Sequence, residues 1–144
     1  MDTAARTETE STVAVRPAIL VTRRLPSSAV DRLEAVGDVE RYDGEAAMSA
    51  AELAARLSGK TAVVATLTET FDRPLLERLP MLRLIANVAV GFNNIDVAAA
   101  RARGVTVTNT PDVLTDSTAD FTWGLILAIT RRIDRKSTRL NSSH

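Results

Sequence analysis

The sequence contains no cysteine, which excludes a thiolate nucleophile, a cysteine-based zinc site and a disulfide framework. Histidine is almost absent as well. The single one is His144, the last residue, so no imidazole is placed to act as a general acid or base. We therefore expect no catalytic residue and no metal site within this chain. The lack of cysteine also fits a cytoplasmic location.

Glycine spacing provides a second absence. A dinucleotide-binding fingerprint of the form GxGxxG begins with two glycines that have one other residue between them, and no two glycines of this chain have that spacing. The sequence thus predicts no dinucleotide site of its own. The six glycines are Gly37, Gly44, Gly59, Gly91, Gly104 and Gly124.

An excess of one charge and a long apolar run are also missing. The 18 Lys and Arg residues balance 18 Asp and Glu residues, which gives no electrostatic reason to expect nucleic acid or an anionic membrane as a partner. The longest apolar stretch, around residues 125–129, is far shorter than the roughly 20 residues that cross a bilayer. Residues 1–16 lack the apolar core of a signal peptide, and we expect them to form a disordered tail.

What the sequence does contain is a repeating order of short apolar runs and helix patterns. Because the runs are continuous rather than alternating, they indicate a parallel sheet covered on both faces. We predict an α/β, doubly wound fold with the flavodoxin-like strand order 2-1-3-4-5 and with ligands bound after strands one, three and four. The predicted strands are 18–21, 39–42, 62–65, 82–87 and 105–108. The intervening helices open after Pro26 and cover 49–57, 73–79 and 96–103, with Ser49 as the expected N-cap of the second.

A last helix is predicted to follow the extended segment at Pro111 and to run over residues 117–132. Asp116 or Ser117 is the expected N-cap, with Asp120 completing a pattern like a capping box. Its apolar residues point in nearly every direction, and a helix of that kind must be buried by something. One small lobe cannot cover it. We therefore divide the chain into a lobe at 17–112 and a linking helix at 113–133.

The segment 87–96, NVAVGFNNID, runs from a strand end through glycine into a capped helix. The backbone amides of Val90 and Gly91 would lie at the carboxyl edge of the sheet, where they could bind a small anion such as a carboxylate. Glycine would let that ligand approach the main chain. Spacing alone favours the interpretation that Gly91 only makes the turn, because glycines between a strand and a helix are common in this architecture.

The stretch NVAVGFNNIDVAAARARGVTVTNTPDVLTDSTAD resembles the region that precedes the cofactor domain in D-isomer-specific 2-hydroxyacid dehydrogenases. Together, AILVTRRLP, TLT and TPDVLTDSTAD are most similar to the glyoxylate/hydroxypyruvate reductase branch of that family. The resemblance covers about residues 18–132. It implies an enzyme that uses NAD or NADP to reduce a small 2-oxo acid, glyoxylate or hydroxypyruvate, to the D-2-hydroxy acid.

The same resemblance assigns roles to individual residues. It implies that the amides of Val90 and Gly91 hold the substrate carboxylate, that the loop of Leu67 lines the same cleft, and that Thr118 meets the nicotinamide side of the cofactor. The histidine, the arginine and the dinucleotide loop of the reaction would come from a following Rossmann domain. The family's linking helix packs between domains and against a second subunit, which implies a homodimer with Phe121 and Trp123 as anchors.

Several alternatives bear on this interpretation. A flavodoxin or a receiver domain would need other residues where the chain has TRRLP and TLT, so FMN binding and phosphorelay are disfavoured. A non-enzymatic dehydrogenase-like corepressor and a phosphoglycerate dehydrogenase share the predicted fold and stay open. Residues 134–144, DRKSTRLNSSH, depart from the family pattern and resemble a translated sequencing adapter. The chain is thus interpreted as an inactive N-terminal fragment.

Overall fold

The structure, a computed structural model, describes residues 15–44 and 46–133. The predicted adapter segment at 134–144 and most of the predicted tail lie outside these residues. The elements are β1 (Ala18–Val21), α1 (Ser27–Val36), β2 (Asp38–Arg41), α2 (Ala50–Leu57), β3 (Ala62–Ala65), α3 (Arg73–Glu77), β4 (Leu84–Asn87), α4 (Val97–Ala102), β5 (Thr106–Thr108) and α5 (Thr115–Thr130).

The five strands form one parallel sheet in the order β2-β1-β3-β4-β5, which confirms the predicted fold class and strand order. Some boundaries differ by a residue or two from the prediction. Leu82 and Val105 are buried, as strand residues would be, but their amides donate to the carbonyl oxygens of Leu79 and Ala100 at the ends of helical segments. Leu82 therefore closes a turn at residues 79–82, and Val105 closes the end of α4, rather than opening strands.

One face of the sheet carries the main hydrophobic core. Leu20, Val63 and Ile85 are in register across β1, β3 and β4, and all three are fully buried. Because side chains alternate along a strand, they point to the same face. They pack in one cluster with buried residues of α2, α3 and α4, such as Leu57 and Leu76. Three helices thus cover this face.

The opposite face is covered less completely. Ile19, Val21 and Val30 of β1 and α1 are buried but lie outside the main cluster. Further along the sheet, Val64 and Ala86 on the same face are only half-buried. Arg16, which the sequence placed in the tail, ties the start of the lobe to this side through a salt bridge to Asp38 and hydrogen bonds to the Glu34 and Gly37 carbonyl oxygens.

Side chains cap the starts of α2, α3 and α4, but not those of α1 and α5. The predicted N-cap Ser49 is confirmed, because its hydroxyl accepts a hydrogen bond from the Glu52 amide at 3.2 Å. The predicted α5 cap is wrong. The helix begins at Thr115 after Leu114, with no side-chain cap bond, so Ser117 already lies within the helix and its hydroxyl donates to the Leu114 carbonyl oxygen. A positive φ of 60° at Asp112 turns the chain before the expected cap.

The last helix lies largely in the open, as its apolar pattern predicted. None of its residues is buried, and Phe121 and Trp123 are 67% and 64% exposed. In the part of the chain that the structure describes, no helix combines the length and apolar character needed to cross a bilayer. The apolar surface of α5 is therefore available for contact with another protein surface.

A charge network fastens the edge strand β2 to α2. The Glu40 carboxylate accepts hydrogen bonds from Lys60 Nζ at 2.7 Å and from Arg56 at 2.9 Å. Arg56 also bonds Glu52 and lies 5.1 Å from the centre of the Tyr42 ring. The hydrogen bond from Lys60, followed by that from Arg56, lowers the pKa of Glu40 below its ordinary value against the opposing effect of partial burial.

We expect Glu40→Gln to lower the free energy of unfolding at neutral pH by at most about 1 kcal/mol, because the pair is partly exposed and screened by solvent. A depressed pKa contributes stability above the ordinary carboxyl pKa of 4.5, and that stability is lost as the pH falls through the lower pKa of the folded state. Urea unfolding at several pH values should therefore show a difference in the free energy of unfolding between the wild type and Glu40→Gln at pH 7. The difference should disappear in acid. Glu77→Gln, at an exposed position, is the control.

Candidate functional site

The loops that follow β1, β3 and β4 meet at the carboxyl edge of the sheet, where the strand order predicts ligands. The Thr22 amide donates to the Val64 carbonyl oxygen at 3.0 Å, which holds the first loop against β3. The second and third loops are joined by Phe71, whose amide donates to the Asn94 carbonyl oxygen and whose carbonyl oxygen accepts from the Asp96 amide. The edge is thus a connected layer rather than three separate loops.

The turn after β4 presents the two amides that the sequence selected. The carbonyl oxygen of Ala89 accepts from the Thr110 amide at 2.9 Å, and that of Val90 accepts from Asn109 Nδ2 at 2.8 Å. In a planar trans peptide the N–H points opposite to the C=O. The N–H groups of Val90 and Gly91 therefore face away from the segment that follows β5. Neither has an acceptor among the described residues.

Gly91 is not required by its backbone conformation. The positive φ angles of glycine occur at Gly59 and Gly104, and a Cβ atom built on Gly91 meets no heavy atom within 4 Å. A turn that only needed to reverse the chain would accept other residues at this position. The absence of a side chain is consistent with a ligand that approaches the main chain here.

An open groove of about 670 Å³ separates this turn from the last helix. Val90 lies on one wall and Thr118 on the other, so the structure brings a predicted substrate residue and the predicted cofactor residue together. Among its described lining residues none is charged, so an anion there would be bound by neutral donors, the backbone amides and the threonine hydroxyls. The lining residues are Val90, Leu114, Thr115, Thr118, Ala119, Thr122, Trp123 and Ile126.

Leu67 is not among the residues that line this groove. Its side chain is 56% exposed in the loop after β3. That loop is tied to the turn after β4, because Asn94 Nδ2 donates to the carbonyl oxygens of Thr66 at 3.1 Å and Glu69 at 2.9 Å. Leu67 thus belongs to the same edge of the sheet as Val90, but on the neighbouring loop.

A buried carboxylate organises the loop that carries Leu67. Glu69 is 2% exposed, and its Oε2 accepts from the Thr22 hydroxyl at 2.9 Å, the Thr66 amide at 3.1 Å and the Thr66 hydroxyl at 3.2 Å. Its Oε1 accepts from the Thr68 hydroxyl at 2.7 Å. The two carboxylate oxygens therefore bind the loop to itself and to the end of β1.

Two asparagines hold the turn after β4 from within. Asn87, 2% exposed, donates from Nδ2 to the Gly91 carbonyl oxygen at 2.9 Å. The amide groups of Asn87 and Asn94 also face each other at 3.4 to 3.5 Å, a weaker contact. Since the Gly91 carbonyl oxygen is held on Asn87, the orientation of the whole turn depends on this buried side chain.

The sequence reading missed Thr22, Glu69, Asn87 and Asn94. Each follows or ends a predicted strand at the edge where ligands were expected, and this placement is the signal that could have found them. The polarity of Glu69 within the stretch TLTET suggests a solvent-exposed loop, however, and burial of its side chain depends on contacts with β1.

Comparison with known proteins is consistent with this arrangement. Residues 19–139 match the family model of the D-isomer specific 2-hydroxyacid dehydrogenase catalytic domain. The glyoxylate reductase of Thermococcus kodakarensis is 42% identical over 119 residues, which are 83% of this chain and 36% of that protein. The glyoxylate reductase of Aeropyrum pernix is 43% identical over 118 residues, which are 82% of this chain and 35% of that protein.

Solved structures show the same relationship. A 2-hydroxyacid dehydrogenase from Ketogulonicigenium vulgare superposes with a TM-score of 0.72 at 36% identity, over 90% of this chain and 40% of that chain. The NADPH-dependent glyoxylate/hydroxypyruvate reductase of Sinorhizobium meliloti, solved with NADP and malonate, gives 0.63 at 31% identity, over 89% and 39% of the two chains.

The chain spans little more than a third of the length of the curated relatives that it matches, 36% in the case of the Thermococcus kodakarensis protein. The family model nevertheless covers most of the chain and includes all five strands from Ile19 onward. This protein therefore belongs to the D-isomer specific 2-hydroxyacid dehydrogenase family, a family of oxidoreductases.

Proposed function

We propose that this chain is the substrate-side lobe of an NAD(P)-dependent oxidoreductase that reduces glyoxylate or hydroxypyruvate to the corresponding D-2-hydroxy acid. The observation that carries the proposal is the pair of unpartnered N–H groups at Val90 and Gly91. They face one side of a turn at the carboxyl edge of the sheet. Two adjacent backbone donors are suited to a carboxylate, and a hydrogen bond to a charged group contributes roughly 1.5 to 3 kcal/mol.

The dinucleotide would bind mainly outside this chain. The residues of this chain could contact only one side of the dinucleotide. Thr118 lies across the groove from Val90, whereas the sequence has no GxGxxG loop to bind the phosphates. We propose that Thr118 faces the nicotinamide. When bound, the cofactor supplies the hydride for the 2-oxo carbon. The turn after β4 would hold the carboxylate and thereby orient that carbon toward the groove.

The same proposal accounts for the exposed last helix. We propose that its apolar surface is covered in the complete protein by the cofactor domain and by a second subunit, with Phe121 and Trp123 as contacts. Phe121 and Trp123 are two residues apart in the sequence, and at 3.6 residues per turn this spacing places them on nearly opposite sides of α5. Two neighbouring surfaces are therefore needed to cover them.

Activity assays on two forms of the protein test this function. The full-length gene product should oxidise NADH or NADPH when glyoxylate or hydroxypyruvate is added. The 144-residue chain should show no turnover with either cofactor, because its sole histidine is the terminal His144 and it has no dinucleotide loop. Turnover by the 144-residue chain would contradict the proposal that the cofactor site and the catalytic histidine lie in a separate domain.

The corepressor and phosphoglycerate dehydrogenase alternatives give different results in the same assay. A full-length protein that binds a 2-oxo acid without oxidising NAD(P)H would be a binding module. One that reduces 3-phosphohydroxypyruvate in preference to glyoxylate would be a phosphoglycerate dehydrogenase. No charged side chain lines the described groove to pair with a phosphate group, which favours the smaller acids.

A further inference from the structure

The contacts of Glu69 connect all three loops at the carboxyl edge of the sheet. Thr22 belongs to the loop after β1, and Thr66 and Thr68 belong to the loop after β3. The carbonyl oxygen of Glu69 accepts from Asn94 in the loop after β4 at 2.9 Å. A single buried residue thus contacts each segment that shapes the proposed substrate site.

The Thr66 amide makes this arrangement sensitive to the side chain at position 69. That N–H can only donate, and its acceptor is Glu69 Oε2 at 3.1 Å. The hydroxyl groups of Thr66 and Thr68, 2.9 Å apart, can each donate or accept and can therefore adapt. An acceptor at the Oε2 position is the feature that the loop needs, whereas a negative charge is not required by these partners.

We propose that Glu69 is a positioning residue for substrate binding. Its side chain fixes the loop of Leu67, and that loop is in turn bonded through the Thr66 and Glu69 carbonyl oxygens to Asn94, next to the turn that presents the amides of Val90 and Gly91. The inference rests on the proposed function of those amides. It adds that their orientation depends on a buried acceptor in the neighbouring loop.

Substitutions at position 69 in the full-length enzyme separate the acceptor from the charge. Glu69→Met keeps a similar length and removes both acceptor oxygens, so the partly buried Thr66 amide loses its partner. We expect KM for glyoxylate to rise about tenfold, with kcat and KM for the nicotinamide cofactor within about twofold of the wild type. Glu69→Gln should stay within about threefold in all three constants, because its carbonyl oxygen can occupy the Oε2 position while Thr68 accepts from the new NH₂ group.

A second pair of variants avoids the risk that Glu69→Met fails to fold. Thr22→Val removes the hydroxyl that donates to Glu69 while preserving the shape of the side chain, and Thr22→Ser retains the hydroxyl. The valine variant should raise KM for glyoxylate about threefold to tenfold, and the serine variant should not. Leu57→Ala, at the buried last residue of α2, is the matched control for a general loss of stability.

Amide relaxation measurements on the 144-residue chain keep this inference separate from the proposed activity. In Glu69→Met, the order parameters of the Leu67, Val90 and Gly91 amides should fall from about 0.85 toward the flexible range below about 0.6. They should stay unchanged in Leu57→Ala and Glu69→Gln. An unchanged loop in Glu69→Met, or an equal rise of KM in Leu57→Ala, would overturn the positioning role. A full-length protein with no reductase activity but with these relaxation changes would overturn only the proposed function.

Discussion

Gly91→Val in the full-length protein should lower kcat/KM for glyoxylate by about ten- to a hundredfold, the loss expected for a charge-assisted hydrogen bond to the substrate carboxylate. The folded structure should tolerate the change, because the φ of Gly91 is not positive and a Cβ atom there meets nothing within 4 Å. The added side chain would instead occupy space next to the amides of Val90 and Gly91. Steady-state kinetics with glyoxylate measure the effect directly.

The cofactor and a neighbouring residue provide the controls for Gly91→Val. The KM for NADH or NADPH should be nearly unchanged, since we place the cofactor mainly on another domain. Asn93→Ala, two residues further along the same turn and exposed, should change kcat/KM by less than about threefold. Wild-type kinetics in Gly91→Val would refute the carboxylate assignment while leaving the family assignment intact.

Replacement of Phe121 and Trp123 by glutamine should weaken self-association of the 144-residue chain by at least about a hundredfold. The isolated chain should associate because α5 buries none of its residues and exposes these two aromatic side chains. Burial of a large apolar side chain contributes roughly 1.5 to 3 kcal/mol, so two such side chains account for a change of that size. Glutamine is a good helix former and should preserve α5.

Sedimentation velocity over a range of concentrations distinguishes association through α5 from nonspecific hydrophobic association. The matched control replaces Val36 and Met81, which are 60% and 52% exposed outside α5, with glutamine. These substitutions remove exposed apolar surface elsewhere on the lobe and should leave association unchanged. A wild-type chain that stays monomeric at high concentration would show that α5 is not an interaction surface in this form of the protein.

Local sequence patterns determined the main architectural features. The continuous apolar runs at β1, β3 and β4 predicted a parallel sheet, since strands buried on both faces do not alternate, and the predicted strand order was confirmed. The N-cap signal at Ser49, which acts within one helical turn, was also confirmed. Apolar residues on all sides of α5 predicted an apolar surface too large for this lobe to cover. Motif resemblance identified the family from the segment around Gly91.

Tertiary contacts alone decided the details of the edge where we place the substrate. Glu69 looks like a surface residue in TLTET, and its burial follows from Thr22, a residue of another loop that only the sheet brings near. The start of α5 at Thr115 likewise depended on the positive φ at Asp112 rather than on the best capping residue. The direction of the Val90 and Gly91 N–H groups follows from hydrogen bonds that the preceding carbonyl oxygens accept. The donors are Asn109 and Thr110, beyond β5 and some twenty residues away along the chain. Long-range partners of this kind leave no local periodicity in the sequence, because polar burial and peptide orientation depend on which segments become neighbours in the fold.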